Sequence, residues 1–525
     1  MSEDRKQDAG SGSGATMWVP DLLYAGGRFR RDAALVCDAR GIITSIEPAG
    51  DQQAGERSRS SQKFSGNVVR LKNRALLPGL VNAHSHAFQR VIRGRTEYRS
   101  AAHARDSFWT WREMMYSAAA RLAPEDIYDA ARMAFLEMVL GGITAVGEFH
   151  YIHRTPEGEQ YDDPNLLAKE VVRAARDAGL RIALLRVAYA RSGFQVAPND
   201  RQKRFIEPDA QLFLRHVEDL QSYLAAGDET ERARSWAGVA PHSVRAVPLD
   251  YLRAVGNFAA ERKLPLHMHV SEQPAEVASC LEETGRTPVA LLADEGLLGP
   301  HFTCVHAVHI TAHEIRALGD AGAIVCACPT TERNLGDGVV PADALLKARV
   351  PVALGTDSHT QIDLLEDARE LEYHLRLLQL ERNVLAPAGT KEQDDDRRGV
   401  VDGKTDESRG GDESGGKDGG GKSKMAALAA RLFECATAQG ARSVGARGGE
   451  LELGRPADFF TVDLNDPTIA GAGCEDLLPA IIFSASRAAI RETVVGGRLV
   501  VEDGRHAAQD EIVARFAALQ RKLWG

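Results

Sequence analysis

Two histidines two positions apart, His84 and His86 in the stretch PGLVNAHSHAFQR, stand at the end of an apolar run. In an extended strand alternate side chains share a face, so both imidazoles point to one side at the separation that two ligands of one ion need. Such a pair ends many strands with no ion between, so other residues must complete a site. The chain offers them: His269 and Glu272 in HMHVSEQ, His306 in CVHAVH and Asp357 in LGTDSH each follow an apolar run. Three imidazoles and a carboxylate drawn from this set suit a divalent ion such as zinc, with a position left open for water. His267 shares a strand face with His269 and is read as a packed imidazole behind it. His103, His216, His301, His313, His374 and His506 are read as surface or helix residues.

For these side chains to meet, the runs that carry them must lie side by side. Eight candidate strands alternate with longer helical periods: ALLPGLVNA, GITAVGEF, RIALLRVAY, WAGVAP, LPLHMHV, FTCVH, AIVCACP and VPVALGT. That alternation is the signature of βα units around a parallel sheet, and eight is the number a (β/α)8 TIM-type barrel requires. In such barrels chemistry gathers at the C-terminal strand ends, where the residues above fall. The expected class is α/β, with the barrel over 77–387. The tracts 17–76 and 447–505 are broken by Gly and Asp turns into short strands and are expected to join as one small β-sandwich domain made from both chain ends. A disordered leader (1–16), a Gly-rich, charge-rich insertion (388–424), a barrel-associated helix (425–446) and a C-terminal helix (506–525) complete the plan.

The bulk composition narrows the partners. A formal net charge of −10 over 525 residues, with a pI near 5.9, argues against a nucleic-acid backbone as partner, so an anionic substrate would need locally placed arginines. Seven scattered cysteines, with Cys326 and Cys328 inside the apolar run AGAIVCACP, read as reduced thiols. The first residues supply no apolar signal segment and no apolar run is long enough to span a bilayer, which makes a cytoplasmic location the default and a membrane partner unexpected.

The ordered set H-x-H, H-x-x-E, H and T-D-S resembles the metal-dependent amidohydrolase superfamily. Within it, HSHAFQR, DSFWTWREMMY (106–116), EFHY (148–151), APHSVRAV (240–247), CPTTERNLGDG (328–338) and LGTDSHTQIDLLEDARELE (354–372) resemble the formimidoylglutamate deiminases, from about residue 17 to the C-terminus. The resemblance implies His84, His86, His269 and Asp357 at the metal, Glu272 and His306 as an acid–base pair assisted by Asp357, and substrate contacts from Gln89, Arg112, Tyr151, His242 and Arg245. It implies one Zn2+ per chain, with Fe2+ as an alternative, because the fourth strand lacks the lysine that bridges two metals in binuclear relatives. The activity implied is hydrolysis of N-formimino-L-glutamate, a small anionic substrate of histidine degradation, to N-formyl-L-glutamate and ammonia; relatives suggest a homodimer. Two alternatives stand beside it: a deaminase of a heterocyclic amine, which predicts an aromatic pocket poor in cations, and a catalytically silent scaffold, which predicts lost ligands.

Overall fold

A computed structural model describes residues 14–48, 64–98, 107–387 and 424–525. Nearly all of the expected leader, the insertion between 388 and 423, and His103 lie outside these residues.

Eight parallel strands run in sequence order around one sheet: Leu80–Ser85 (β1), Ile143–His150 (β2), Arg181–Ala188 (β3), Ser235–Pro241 (β4), Leu266–Val270 (β5), Phe302–His306 (β6), Ile324–Ala327 (β7) and Val352–Leu354 (β8). The sheet closes just beyond β8, where Asp357 bridges to Ser85 in parallel register. At this seam Asp357 N donates to the His84 carbonyl at 3.0 Å and His86 N to the Asp357 carbonyl at 3.2 Å. Residues of β1, β2 and β3 are buried throughout, as expected when helices cover one face of a barrel and side chains fill the other, which is why these strands read as unbroken apolar runs. The helices between them, such as Pro124–Leu140 with proline in its first turn and Thr311-capped Ala312–Ala321, start on ordinary N-terminal signals.

Both chain ends build the second unit. Asn67–Pro78 is its centre, pairing in parallel with Thr16–Ala25 on one side and antiparallel with Phe459–Asp463 on the other. Arg28–Arg31, Ala33–Cys37, Ile43–Pro48, Ile490–Val495, Arg498–Glu502 and Arg505–His506 extend it to nine strands. Ile42 bridges to Pro456 just ahead of Phe459–Asp463, so the sheet curls back on itself. It encloses a second core in which Trp18 and Phe459 meet edge to face at 5.1 Å between ring centroids. The segment after the insertion is two helices, Lys424–Ala436 and Ala438–Val444, and the chain ends in the helix Gln509–Trp524.

Two histidines expected at the surface or on helices are buried. His216 is helical, but its Nδ1 lies 2.9 Å from Glu207, which also pairs with the fully buried Arg186 of β3. His506 sits buried in a two-residue strand. His267 is packed as expected, its Nε2 2.9 Å from the Ser443 carbonyl.

Candidate active site and metal centre

Four donor atoms converge at the C-terminal mouth of the barrel, from β1 (His84, His86), β5 (His269) and the turn after β8 (Asp357). The imidazole Nε2 atoms lie 3.1 Å (84–86), 3.3 Å (86–269) and 3.1 Å (84–269) apart. Asp357 Oδ1 is 3.3 Å from His84 Nε2 and 3.2 Å from His86 Nε2. Four donors with five such edges, the His269–Asp357 edge being longer, enclose a point about 2 Å from each, close to the bond length of zinc to histidine nitrogen or carboxylate oxygen. Proton placement points the same way. His86 Nδ1 lies 3.0 Å from the Phe149 carbonyl and His269 Nδ1 3.2 Å from the His242 carbonyl; both must donate there, so each Nε2 presents a lone pair. Two lone pairs at 3.3 Å facing a carboxylate call for a cation between them.

The electrostatics agree. Burial pushes His84 down to about 3 and His269 well below its ordinary value, so both are neutral, as a ligand imidazole must be. Burial alone would raise Asp357, but the close imidazoles of His84 and His86 and the His306 charge hold it well below the usual range, leaving a carboxylate. Backbone strain concentrates at these strand ends: Ser271, His306, Asp357 and His359 all take positive φ, between 44° and 71°. Gly355 lies under His84, and a Cβ there would come within 2.8 Å of the His84 Cβ and 3.0 Å of its backbone.

Beside the donor set, His306 Nε2 is 3.8 Å from Asp357 Oδ2 and 3.7 Å from Glu272 Oε1. Its Nδ1 faces Glu332 at 3.3 Å, and Glu332 is anchored by the Cys328 N–H at 2.9 Å. Burial disfavours charge on His306, but Glu272, Glu332 and Asp357 together hold it well above its ordinary value. Burial raises the Glu272 carboxyl to about 7, against the opposing pull of His306. Glu332 lies inside the CPTTERN stretch yet was not singled out from sequence; nothing in its spacing marks it as the partner of a histidine 26 positions away.

The other expected residues line the same cavity. Gln89 Nε2 donates to the Tyr151 hydroxyl at 2.9 Å, next to His86. His242 stacks near His269, and burial, with the Arg245 charge, keeps it neutral. Arg112 is flanked by the rings of Trp109 and Tyr116, at 4.5 and 5.5 Å from their centroids, and its Nε is buried without a hydrogen-bond partner. Trp111 lines the cavity, whereas Trp109 serves as a face for Arg112. Arg245 Nη1 donates to the Ser192 carbonyl at 3.1 Å. Among the described residues, neither Arg112 nor Arg245 has a carboxylate within ion-pair distance. The seven cysteines are free, and Cys326 and Cys328 are buried.

Comparison with known proteins agrees with this geometry. The sequence profile of the amidohydrolase family matches residues 75–390 and 417–500. The formimidoylglutamate deiminase of Pseudomonas aeruginosa is 34% identical over 494 residues, 94% of this chain and 96% of that protein. A 5-methylthioadenosine/S-adenosylhomocysteine deaminase of Halobacterium salinarum is 28% identical over 97% of this chain and 96% of its own length. The crystal structure of an amidohydrolase from Brucella melitensis superposes with a TM-score of 0.79 at 30% identity, covering 97% of this chain and all of that one.

Proposed function

The chain belongs to the amidohydrolase family, and from that premise we propose that it hydrolyses N-formimino-L-glutamate to N-formyl-L-glutamate and ammonia, with one zinc ion at the strand ends. The observation that carries the substrate is the pair of guanidiniums, Arg112 and Arg245, that line the cavity with no carboxylate within ion-pair distance among the described residues. Both guanidiniums are half-buried, and Glu276 acts on Arg245 only from beyond ion-pair distance, so a substrate with two carboxylates can supply direct partners through charge-assisted hydrogen bonds.

Held by His84, His86, His269 and Asp357, a divalent ion supplies Lewis acidity and makes water a competent nucleophile near neutral pH. The chain's own residues do the rest. Gln89 and Tyr151 hydrogen-bond the formimino end beside His86, and the arginines fix the carboxylates, so that the sp2 carbon faces the attacking water. Asp357 accepts that water's proton, and His306, charged by the carboxylates around it, orients the water and steadies the developing negative charge. Glu272, with its carboxyl near neutrality, delivers a proton to the terminal nitrogen as the carbon–nitrogen bond breaks and ammonia leaves.

The test is ammonia release from N-formimino-L-glutamate by zinc-loaded protein, with the organic product identified in the same tube. N-Formyl-L-glutamate is the expected product, and Arg112→Lys is expected to raise KM, since an ammonium cannot reproduce the guanidinium fork. Zinc-bound protein without ammonia release would refute the substrate. The aromatic walls from Phe108 and Trp111 favour a second reading, a heterocyclic amine, and adenosine derivatives belong in the same assay. A silent scaffold is disfavoured by the complete donor set. No described helix is long and apolar enough to cross a membrane. A place in histidine degradation, in the cytoplasm, as a homodimer without nucleic-acid or membrane partners, completes the reading.

A further inference from the structure

One wall of the cavity carries more hydrogen-bond donors than acceptors. Gln202, 1% exposed, reaches Tyr116 and Tyr189, its Nε2 lying 3.0 Å from the first phenolic oxygen and 2.9 Å from the second. The orientation of the amide follows from its other end. The Asn199 backbone N–H, at 3.5 Å, and the Ser192 hydroxyl both donate to Oε1, and a backbone N–H can only donate. Both phenolic oxygens therefore accept from the Gln202 amide.

Gln202 already fills one lone pair of each phenol, and the two hydroxyls can satisfy each other only once, since one must donate where the other accepts. At least one phenolic O–H is thus left without a protein acceptor among the described residues, and the buried Arg112 Nε–H adds a second donor in the same state. Burial pushes the Tyr116 phenol well above its ordinary value, so the hydroxyl keeps its proton. Buried donors in folded proteins are rarely left unmade, and here the missing acceptor comes from what fills the cavity, a water or the oxygen of a bound ligand.

We propose that Tyr116 and Tyr189, organised by Gln202, are the neutral half of a carboxylate cradle whose charged half is Arg112 and Arg245. Gln202 does not touch the substrate; it is a positioning residue that, by donating to both phenols, leaves at least one O–H to donate toward the cavity. The inference rests on the reading of this site as one for an anionic substrate, and it adds the residues that would distinguish a carboxylate from a neutral carboxamide. A carboxamide would bring its own N–H groups into a wall that already has donors in excess.

The test uses glutarate, a dicarboxylate without a formimino group, titrated into zinc-loaded wild-type protein, Tyr116→Phe, Tyr189→Phe and Gln202→Met. Loss of one hydrogen bond to a charged oxygen should weaken glutarate binding by about 10- to 100-fold in each Phe variant. With N-formimino-L-glutamate the same variants should raise KM while kcat stays within about twofold. Gln202→Met should weaken glutarate on its own and add little in the Tyr116→Phe/Tyr189→Phe background, which a purely structural role would not produce. Unchanged glutarate binding in a folded Phe variant of each tyrosine overturns the cradle, as does a wild-type protein that fails to bind glutarate. Fully additive loss from Gln202→Met overturns its positioning role. Glutarate binding that is lost in the variants, in a protein that leaves N-formimino-L-glutamate intact, supports the cradle and refutes the substrate instead.

Discussion

Glu148 on β2 is buried, and it holds both sides of one histidine of the donor set: its carboxyl accepts from Ser85 Oγ at 2.5 Å and from the Ala87 N–H at 2.7 Å, bracketing His86. Burial pushes its carboxyl from 4.5 up to about 8, the two hydrogen bonds only partly opposing this. The folded protein therefore holds a proton that the unfolded chain releases between those two values, and stability falls as pH rises through that window. At about 1.36 kcal/mol per pH unit, the group costs the fold on the order of 4 kcal/mol between pH 5 and pH 8. Glu148→Gln keeps an acceptor for Ala87 and cannot ionise. Thermal melts of metal-free wild type and Glu148→Gln should nearly coincide at pH 5 and diverge by pH 8, with the variant more stable. Parallel melting curves across this range would show that Glu148 ionises in the folded protein as it does in water, and the account of its burial would be wrong.

Three further outcomes follow from the geometry. Glu272→Gln should keep its zinc content by metal analysis while kcat falls about 10²- to 10⁴-fold, the scale of a general acid–base group; near-normal turnover would move the proton transfer elsewhere. Gly355→Ala should push its new Cβ into His84 and weaken zinc binding by about tenfold or more, measured by competition with a chelator, since the ligand's support is displaced. Glu207→Gln leaves Arg186 buried without its counter-charge and should cost about 3–5 kcal/mol in denaturant unfolding; a loss below about 1 kcal/mol would mean that His216 and Asn165 suffice to hold the guanidinium.

The barrel was legible because parallel strands buried on both faces must be written as apolar runs, and because each polar residue that matters sits where a run ends. The donor set was legible for the same reason: His84, His86, His269 and Asp357 are positions along strands, and strand order alone brings them together. What escaped was anything built across elements. Arg186 reads as one charge in an apolar strand, and its partner Glu207 lies in a loop with no periodicity. Glu332 and Gln202 carry no local mark, since an amide or carboxylate is assigned its task by the side chains it meets, and those come from distant parts of the chain. His216, read as a surface or helix residue, lies on a helix but is buried, because helical spacing does not tell whether a histidine faces solvent or a buried carboxylate.

The barrel's seam has a consequence for how the chain holds itself shut. β1 and the turn after β8 meet through only a narrow set of backbone bonds, and they are separated by roughly 270 residues. Closing a loop of that length costs about 5 kcal/mol of chain entropy. An ion gripped by His84 and His86 on one side and Asp357 on the other spans that gap and acts as a clip, a reversible counterpart of a disulfide. Closure of the ring and loading of the centre would then be one equilibrium, set by the free concentration of the ion. Withdrawal of the ion should loosen amide protection first at Leu80–Ser85 and Val352–Leu354, while Arg181–Ala188 and Ser235–Pro241 stay locked.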